Sequence, residues 1–332
     1  MNTLDIRKKI ENLTDESRHD TLKNLNAIKH IGIDSERNVV VLIIEIGMMG
    51  GDAEHHLKRE LAKAIKLDLG FSGIKIQFQE ARNFQNTFNK STKFIIVASG
   101  KGGVGKTFVS VNLAYALTRL GKKVGVIDAD IYESSVPKYL EIPCTSPQVN
   151  SRNKIIPYQS FGIEAISTEF FADEGRPIVW RGSVLTNMIN NFFYQVAWNK
   201  ELDYIIVDAA TGTGDVLLDL NKIIPDAEVL LVTTPDKTAS FIATKAGLAT
   251  IDMKHKIIGV VENMSYYYNS STNQKLMLFG EGGGFEMAKK LDSEMLMQIP
   301  FAKPKYHDYL YEENEGNGQL FNDLANIISI RD

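Results

Sequence analysis

From Lys93 onward, short and continuously apolar runs alternate with stretches of helical spacing. Runs of this kind are what parallel strands covered by helices on both faces require. The pattern therefore predicts an α/β fold, a doubly wound and mostly parallel sheet, over residues 93–332. The runs are FIIVAS at 94–99, KVGVID at 123–128, DYIIVD at 203–208, AEVLLVTT at 227–234 and KIIGVVEN at 256–263.

The residues before this region predict a separate small α+β domain at 1–81. Helical spacing at 4–13 and 53–67 and strand-like runs at 26–33, 38–46 and 73–79 support it. Residues 82–92, RNFQNTFNKST, are polar and lack periodicity, which indicates a linker. The chain has 332 residues, of which 44% are hydrophobic, enough for about two domains. We interpret the small domain as a module for protein partners.

Charge and cysteine content narrow the function classes. The chain carries 41 acidic and 37 basic residues, a net charge of -4, unlike proteins that bind nucleic acid mainly by charge. Its single cysteine, Cys144, excludes an intramolecular disulfide framework and a four-thiolate metal site within one subunit. The N-terminus lacks a secretory pattern, and its longest nearby apolar run, at 39–44, is shorter than the ~20 residues of a membrane span. We expect a cytoplasmic protein with no membrane partner.

The segment GKGGVGKT at 100–107 lies between the first apolar run and a helical stretch. Its spacing matches a phosphate-binding loop in the strand–loop–helix setting, where backbone N–H groups point at phosphate oxygens. We predict that Lys106 contacts the β and γ phosphates of ATP and that Thr107 ligates Mg²⁺. A glycine-rich structural turn is the alternative. The other predicted nucleotide-binding residues of this motif are Gly100, Gly102, Gly103, Val104 and Gly105.

Three aspartates follow strand-like runs, where ligands bind in open α/β sheets. Asp128 and Asp130 follow KVGVI, and Asp208 ends DYIIV. We predict that Asp130 orients the attacking water and that Asp128 and Asp208 support Mg²⁺. A simple capping role is the alternative for each. Asn263 is a candidate for reading the adenine edge, with a turn-forming role nearly as well supported.

These motifs together resemble the Mrp/ApbC family of P-loop ATPases over nearly all of 93–330. The small N-terminal domain is similar, more weakly, to the iron-sulfur assembly domain often fused to such ATPases. The matching stretches are SGKGGVGKT at 99–107, VGVIDADIY at 124–132, SVP at 135–137, VWRG at 179–182, DYIIVD at 203–208, GTGD at 212–215, VTTP at 232–235, GVVENMSYY at 259–267 and FGEGGG at 279–284.

The resemblance implies a homodimer that sandwiches two ATP molecules, in which Lys101 reaches the nucleotide of the facing subunit. A solvated surface lysine is the alternative for Lys101. It also implies that Phe108, where the family usually has serine or threonine, offers the α phosphate only its backbone N–H. Ala210 and Thr211 replace paired family prolines in the loop after Asp208, so we expect a more mobile loop and slow hydrolysis. The predicted catalytic residues are Lys101, Lys106 and Asp130.

Family carriers of iron-sulfur clusters have a Cys-x-x-Cys pair after the ENMSY segment. Here that stretch reads YYYNSSTNQK at 266–275, without cysteine, and we assign no iron-sulfur ligand. The chain most resembles the SalA-type branch, whose members act as ATP-linked transcriptional regulators. We therefore expect an ATP-gated regulator without a cluster, with DNA left open as a partner. The alternative is an ATPase that carries iron-sulfur clusters to apoproteins.

Overall fold

A computed structural model describes residues 2–16, 20–47, 52–80, 87–131, 133–171, 183–212 and 215–331. The chain divides into two compact units, Met1–Asn83 and Phe84–Asp332. Residues 82–86 of the predicted linker, the VWRG stretch, and 213–214 of GTGD lie outside the described residues. The end of the predicted linker packs with the second unit, because Phe88 is buried and meets Phe94 edge to face at 5.1 Å.

The first unit is a small α+β structure. Its sheet has the strand order β3-β4-β5, with β3 and β4 antiparallel and β4 and β5 parallel. Alternate residues of the central strand are buried, so one face of this sheet covers the core. Its elements are α1 (Thr3–Ile10), β1 (Thr14–Asp15), β2 (Asp20–Thr21), β3 (Ile28–Asp34), β4 (Val39–Ile46), α2 (Asp52–Lys63), a π-helical turn (Ala64–Asp68) and β5 (Gly73–Glu80).

Within the described residues, the second unit contains an eight-stranded sheet with helices, which confirms the predicted α/β fold class. Its strands are β6 (Lys93–Ser99), β7 (Val124–Ala129), β8 (Tyr158–Ser160), β9 (Ile163–Ile166), β10 (Tyr204–Ala209), β11 (Glu228–Thr233), β12 (Lys256–Asn263) and β15 (Met295–Ile299), with a separate hairpin of β13 (Tyr267–Asn269) and β14 (Gln274–Leu276). Its helices are α3 (Lys106–Arg119), α4 (Val136–Tyr139), α5 (Ser183–Tyr194), α6 (Asp215–Ile223), α7 (Lys237–Asp252), α8 (Gly283–Lys290) and α9 (Gly316–Ile330).

The strand order is β15-β12-β11-β6-β10-β7-β9-β8, which places β6, β10 and β7, the strands that lead to the predicted site residues, inside the sheet. All neighbouring pairs are parallel except β8 and β9. Strand β10 lies between β6 and β7, with Asp208 in register with Asp128 and Val97. The carboxyl ends of these three strands therefore meet at one edge, beside the start of α3.

The central strands are buried almost throughout, as their continuously apolar sequences require. Helix α3 packs against the sheet and against α9, and Gly121 follows its end at φ 78°. No helix among the described residues combines the length and the apolar character needed to cross a bilayer.

Candidate nucleotide site

The phosphate loop joins β6 to α3, and close contacts require glycine at two of its positions. Gly105 has φ 82°, and a Cβ there would lie 2.2 Å from Asn263 Nδ2. A Cβ on Gly100 would lie 2.4 Å from the backbone N of Ala243 in α7. Gly103, at φ 79°, has open space around it but adopts a conformation that favours glycine. The loop is therefore held between α7 and the end of β12.

Lys106, the first residue of α3, places its ammonium among buried carboxylates. Its Nζ lies 2.9 Å from Asp208 Oδ2 and 3.2 Å from Asp130 Oδ2, as ion pairs, and no acceptor among the described residues meets Nζ with the angles of a hydrogen bond. Burial lowers the pKa of Lys106, but the charges of Asp208 and Asp130 outweigh this and raise it above its usual value. The site thus holds a buried cation whose hydrogen-bond donors remain available to a phosphate oxygen.

Asp208 accepts hydrogen bonds from two hydroxyls of α3. Thr107 Oγ1 donates to Oδ2 at 2.6 Å, and Ser110 Oγ donates to Oδ1 at 2.7 Å. Sequence reasoning missed Ser110, although its position one turn after Lys106 places it on the same helix face. Two hydroxyl donors and the Lys106 ammonium together compensate a carboxylate that has no solvent exposure.

Asp128 organises the loop that follows β7. Its Oδ2 accepts hydrogen bonds from the N–H groups of Ser135 and Val136 and from Ser167 Oγ, and its Oδ1 accepts from Asp130 N. Burial, followed by the charge of Asp208, raises the pKa of Asp128 to about 8. Both carboxylate oxygens of Asp128 thus accept hydrogen bonds from donors of the protein. The predicted role of Asp128 in the magnesium site stays a prediction.

Asp130 lies closer to the phosphate loop, in contact with Lys106. Burial is the main cause that raises the pKa of its carboxyl group, against the lowering effect of the Lys106 charge. The structure therefore brings Lys106, Thr107, Asp128, Asp130 and Asp208 together, as the ends of neighbouring strands predict. The role of Asp130 towards water stays a prediction.

The oxygen ligands fit Mg²⁺ held together with a nucleotide. Among the described residues, no three His, Cys, Asp or Glu side chains form a metal-binding group. A cation here would therefore depend on the Thr107 hydroxyl, on Asp208 and on phosphate oxygens, the mixed set that Mg²⁺ commonly uses. The buried and unsatisfied Lys106 donors favour the same kind of ligand.

Asn263 and Lys101 differ in their surroundings at the phosphate loop. Asn263 Nδ2 donates to Val104 O at 2.9 Å, so this buried amide braces the loop, while its adenine role stays a prediction. Lys101 is exposed. It opens on a cleft of about 470 Å³, whose other lining residues are Gly102, Gly103, Val104, Thr234, Asp236, Ala239, Met264, Leu278 and Phe279.

Phe108, the third residue of α3, packs against the core. Its ring meets Tyr311 at 5.8 Å and Phe321 at 5.7 Å, both edge to face. The residue therefore fastens the start of α3 to the C-terminal helix, a contact that its position beside the loop did not reveal. Its backbone contact with the α phosphate stays a prediction.

The stretch 266–275, where family carriers have their cysteine pair, forms the hairpin β13–β14. Tyr267 and Tyr268 are exposed on it, and the Nζ of Lys275 lies 4.2 Å from the centre of the Tyr266 ring. Cys144 is also exposed but lies outside this segment, between α4 and β8. Partial desolvation of its thiol is the main cause that raises the pKa of that group.

Comparison with known proteins identifies the family. Residues 90–320 match the family model described as the NUBPL iron-transfer P-loop NTPase. The chain belongs to this family. The "Iron-sulfur cluster carrier protein" of Bacillus subtilis (strain 168) is 36% identical to this NUBPL-family chain, over 98% of the chain and 97% of the relative. The resemblance to Mrp/ApbC ATPases is thereby confirmed, whereas the SalA-type assignment stays a prediction.

Solved structures support the fold of this NUBPL-family chain. The nucleotide-binding protein from Archaeoglobus fulgidus in complex with ADP is 28% identical, covers 74% of this chain and 90% of its own, and has a TM-score of 0.57. The septum site-determining protein MinD from Pyrococcus horikoshii, complexed with Mg-ADP, covers 71% of this chain and 96% of its own. At 19% identity and a TM-score of 0.51, MinD shows the shared fold alone.

Proposed function

We propose that this P-loop NTPase is a Mg²⁺-dependent ATPase, present as a cytoplasmic homodimer, whose nucleotide state controls binding to partner macromolecules. The observation that carries the nucleotide part is the Lys106 ammonium, buried beside Asp130 and Asp208 with its donors available. A triphosphate supplies further acceptors to the Lys106 ammonium, and the glycine-rich backbone supplies N–H donors to the phosphate oxygens.

Each residue has a separate task in this proposal. Lys106 binds the β and γ phosphates, while Thr107 and Asp208 hold the magnesium region. Bound Mg²⁺ supplies positive charge that offsets the charge developing on the phosphate oxygens. Asp130 orients the attacking water, because its carboxylate lies next to Lys106 at the carboxyl end of β7. Ala210 and Thr211 replace the fixed backbone of prolines, which favours slow hydrolysis.

The proposed dimer rests on Lys101. This lysine is exposed, whereas the Lys106 ammonium lies in the chain's own buried cluster of carboxylates. A second lysine in that position is suited to a nucleotide held by a facing subunit. ATP then favours the closed dimer only if Lys101 contacts the phosphates in that state and not in the open one.

The regulatory part rests on the ligands that an iron-sulfur cluster needs. A cluster is ordinarily held by four thiolates, and two copies of this chain contain two, one Cys144 each. The hairpin at 266–275 offers tyrosine and serine hydroxyls, which are harder ligands than the soft thiolates that iron-sulfur clusters require. We therefore propose that the ATPase acts on partner macromolecules and not on a cluster. It binds protein partners through the N-terminal unit or, in the SalA-like case, binds DNA.

A second candidate function is the transport of iron-sulfur clusters to apoproteins. The name of the Bacillus subtilis relative and the description of the family both favour it. In that case the cluster must be bound through Cys144 or through oxygen ligands. The two candidates make opposite predictions for the iron content of the protein.

Two assays on one preparation separate the candidates. Anaerobic reconstitution with iron and sulfide, followed by desalting, is expected to leave colourless protein with no stoichiometric iron. An electrophoretic mobility shift with promoter DNA then tests the DNA form of the regulator, with ATP and ADP compared and Lys106→Ala as control. A brown protein with stoichiometric iron and sulfide that Cys144→Ser removes would establish the carrier instead.

A further inference from the structure

Ser135 stands directly before α4 but does not cap it. A serine at this position ordinarily accepts a hydrogen bond from an N–H group of the first turn. The Ser135 side chain makes no such bond. Instead, Asp128 Oδ2 accepts from the N–H groups of Ser135 and Val136, at 3.1 and 3.2 Å. A buried carboxylate performs the capping, and the Ser135 hydroxyl is left for another contact.

That contact is with the predicted magnesium ligand. Ser135 Oγ donates to Thr107 Oγ1 at 3.2 Å, and Thr107 Oγ1 donates to Asp208 Oδ2 at 2.6 Å. A hydroxyl oxygen has one proton and two lone pairs. With its proton on Asp208 and one lone pair facing Ser135, Thr107 keeps a single lone pair for a cation. The Ser135–Thr107–Asp208 chain therefore fixes how the Thr107 hydroxyl is turned.

The position of Ser135 is set by buried groups rather than by an exposed loop. Asp128 has no solvent exposure, and its Oδ2 also accepts from Ser167 Oγ at 2.9 Å, so the anchor of Ser135 is tied to both β7 and the end of β9. Pre-organised supporting contacts of this kind tune how well a ligand oxygen serves a metal.

We propose that Ser135 is a positioning residue of the magnesium site, which orients the Thr107 hydroxyl for the cation of a bound Mg-nucleotide. This inference rests on the proposed nucleotide function. Removal of the Ser135 hydroxyl leaves the phosphate loop and Lys106 in place, so binding of nucleotide phosphates without metal is preserved. The additional affinity that Mg²⁺ provides is reduced.

The test compares Ser135→Ala with Ser134→Ala by calorimetry with ADP, first in EDTA and then over a series of Mg²⁺ concentrations. Ser134 is the matched control in the same loop: its Oγ donates to Asp130 O at 3.0 Å and lies 2.5 Å from Thr168 Oγ1, and neither hydrogen bond involves Thr107. In Ser135→Ala, the Mg²⁺ concentration that gives half of the Mg²⁺-dependent gain in ADP affinity rises about fivefold, which is the effect of losing one hydrogen bond. Ser134→Ala keeps the wild-type value, and Ser135→Thr, which retains a hydroxyl, restores it.

Two results would overturn the inference while leaving the nucleotide site intact. One is an unchanged Mg²⁺ dependence in Ser135→Ala. The other is an equal loss of ADP affinity with and without Mg²⁺, which indicates a merely structural role for the loop. Wild-type protein that binds no ADP at all would refute the proposed function as well, so the two failures are distinguishable.

Discussion

Substitution of Gly105 by alanine tests how the phosphate loop keeps its shape. Gly105 has φ 82°, and a Cβ there would lie 2.2 Å from Asn263 Nδ2. That nitrogen donates to Val104 O at 2.9 Å. The added methyl group must therefore displace the amide that braces the loop. Gly121 is a matched control, because it has φ 78° and no atom within 4 Å of the corresponding Cβ position.

The expected cost in Gly105→Ala has two parts. The left-handed backbone costs a residue with a Cβ about 1–2 kcal/mol, and this part is common to Gly105→Ala and Gly121→Ala. Loss of the Asn263 contact leaves the Val104 carbonyl without its donor, which costs about 1–3 kcal/mol when the group is buried. Gly105→Ala is therefore expected to destabilise the protein by about 1–3 kcal/mol more than Gly121→Ala.

Urea unfolding of the two variants measures this difference, and calorimetry with Mg-ADP measures its effect on the site. Nucleotide affinity falls in Gly105→Ala and is unchanged in Gly121→Ala. In an Asn263→Ala background the bracing contact is already absent, so Gly105→Ala adds only the backbone cost. Equal destabilisation by the two glycine variants, or full additivity with Asn263→Ala, would refute the reasoning.

Three further substitutions test the surroundings of the site. Ser110→Ala removes a hydroxyl donor from the buried Asp208 carboxylate and lowers the free energy of unfolding by about 1–3 kcal/mol, as measured with urea. Phe108→Ala removes two edge-to-face ring contacts, with Tyr311 and Phe321, and lowers it by about 2–3 kcal/mol; a loss below 0.5 kcal/mol would contradict this packing. Burial raises the pKa of Tyr311 from 10.0 to about 12, so the free energy of unfolding of the wild-type protein falls as the pH rises from 10 to 12. Thermal melts of Tyr311→Phe over this range are expected to lack the part of the decrease that comes from Tyr311.

The sequence predicted the parts of the fold that depend on continuous burial. The five central strands are apolar on both faces, and the structure has each of them within one or two residues of the predicted bounds. Strand β15, with the sequence MLMQI, was missed, because an edge strand is half-buried and its methionines carry little strand preference. The short strands β8 and β9 were missed for lack of length.

The site was predictable where it follows from strand order and less so where it depends on contacts between elements. Lys106, Asp130 and Asp208 meet because parallel strands end at one edge, which their position in the sequence indicates. The hydroxyl of Ser110 donates to a carboxylate 98 residues away, and its helix position shows the face on which it lies but not this partner. The bracing of the loop by Asn263 likewise depends on the distance between β12 and the loop, which only the folded chain defines.

Calorimetric titration of the wild-type protein with a nonhydrolysable ATP analogue and Mg²⁺ tests the central claim most directly. The buried Lys106 ammonium and the loop amides predict saturable binding of one nucleotide per chain. Lys106→Ala, with wild-type circular dichroism as evidence of its fold, is expected to show no binding heat. No heat with the wild-type chain, or unchanged binding in folded Lys106→Ala, would contradict the account.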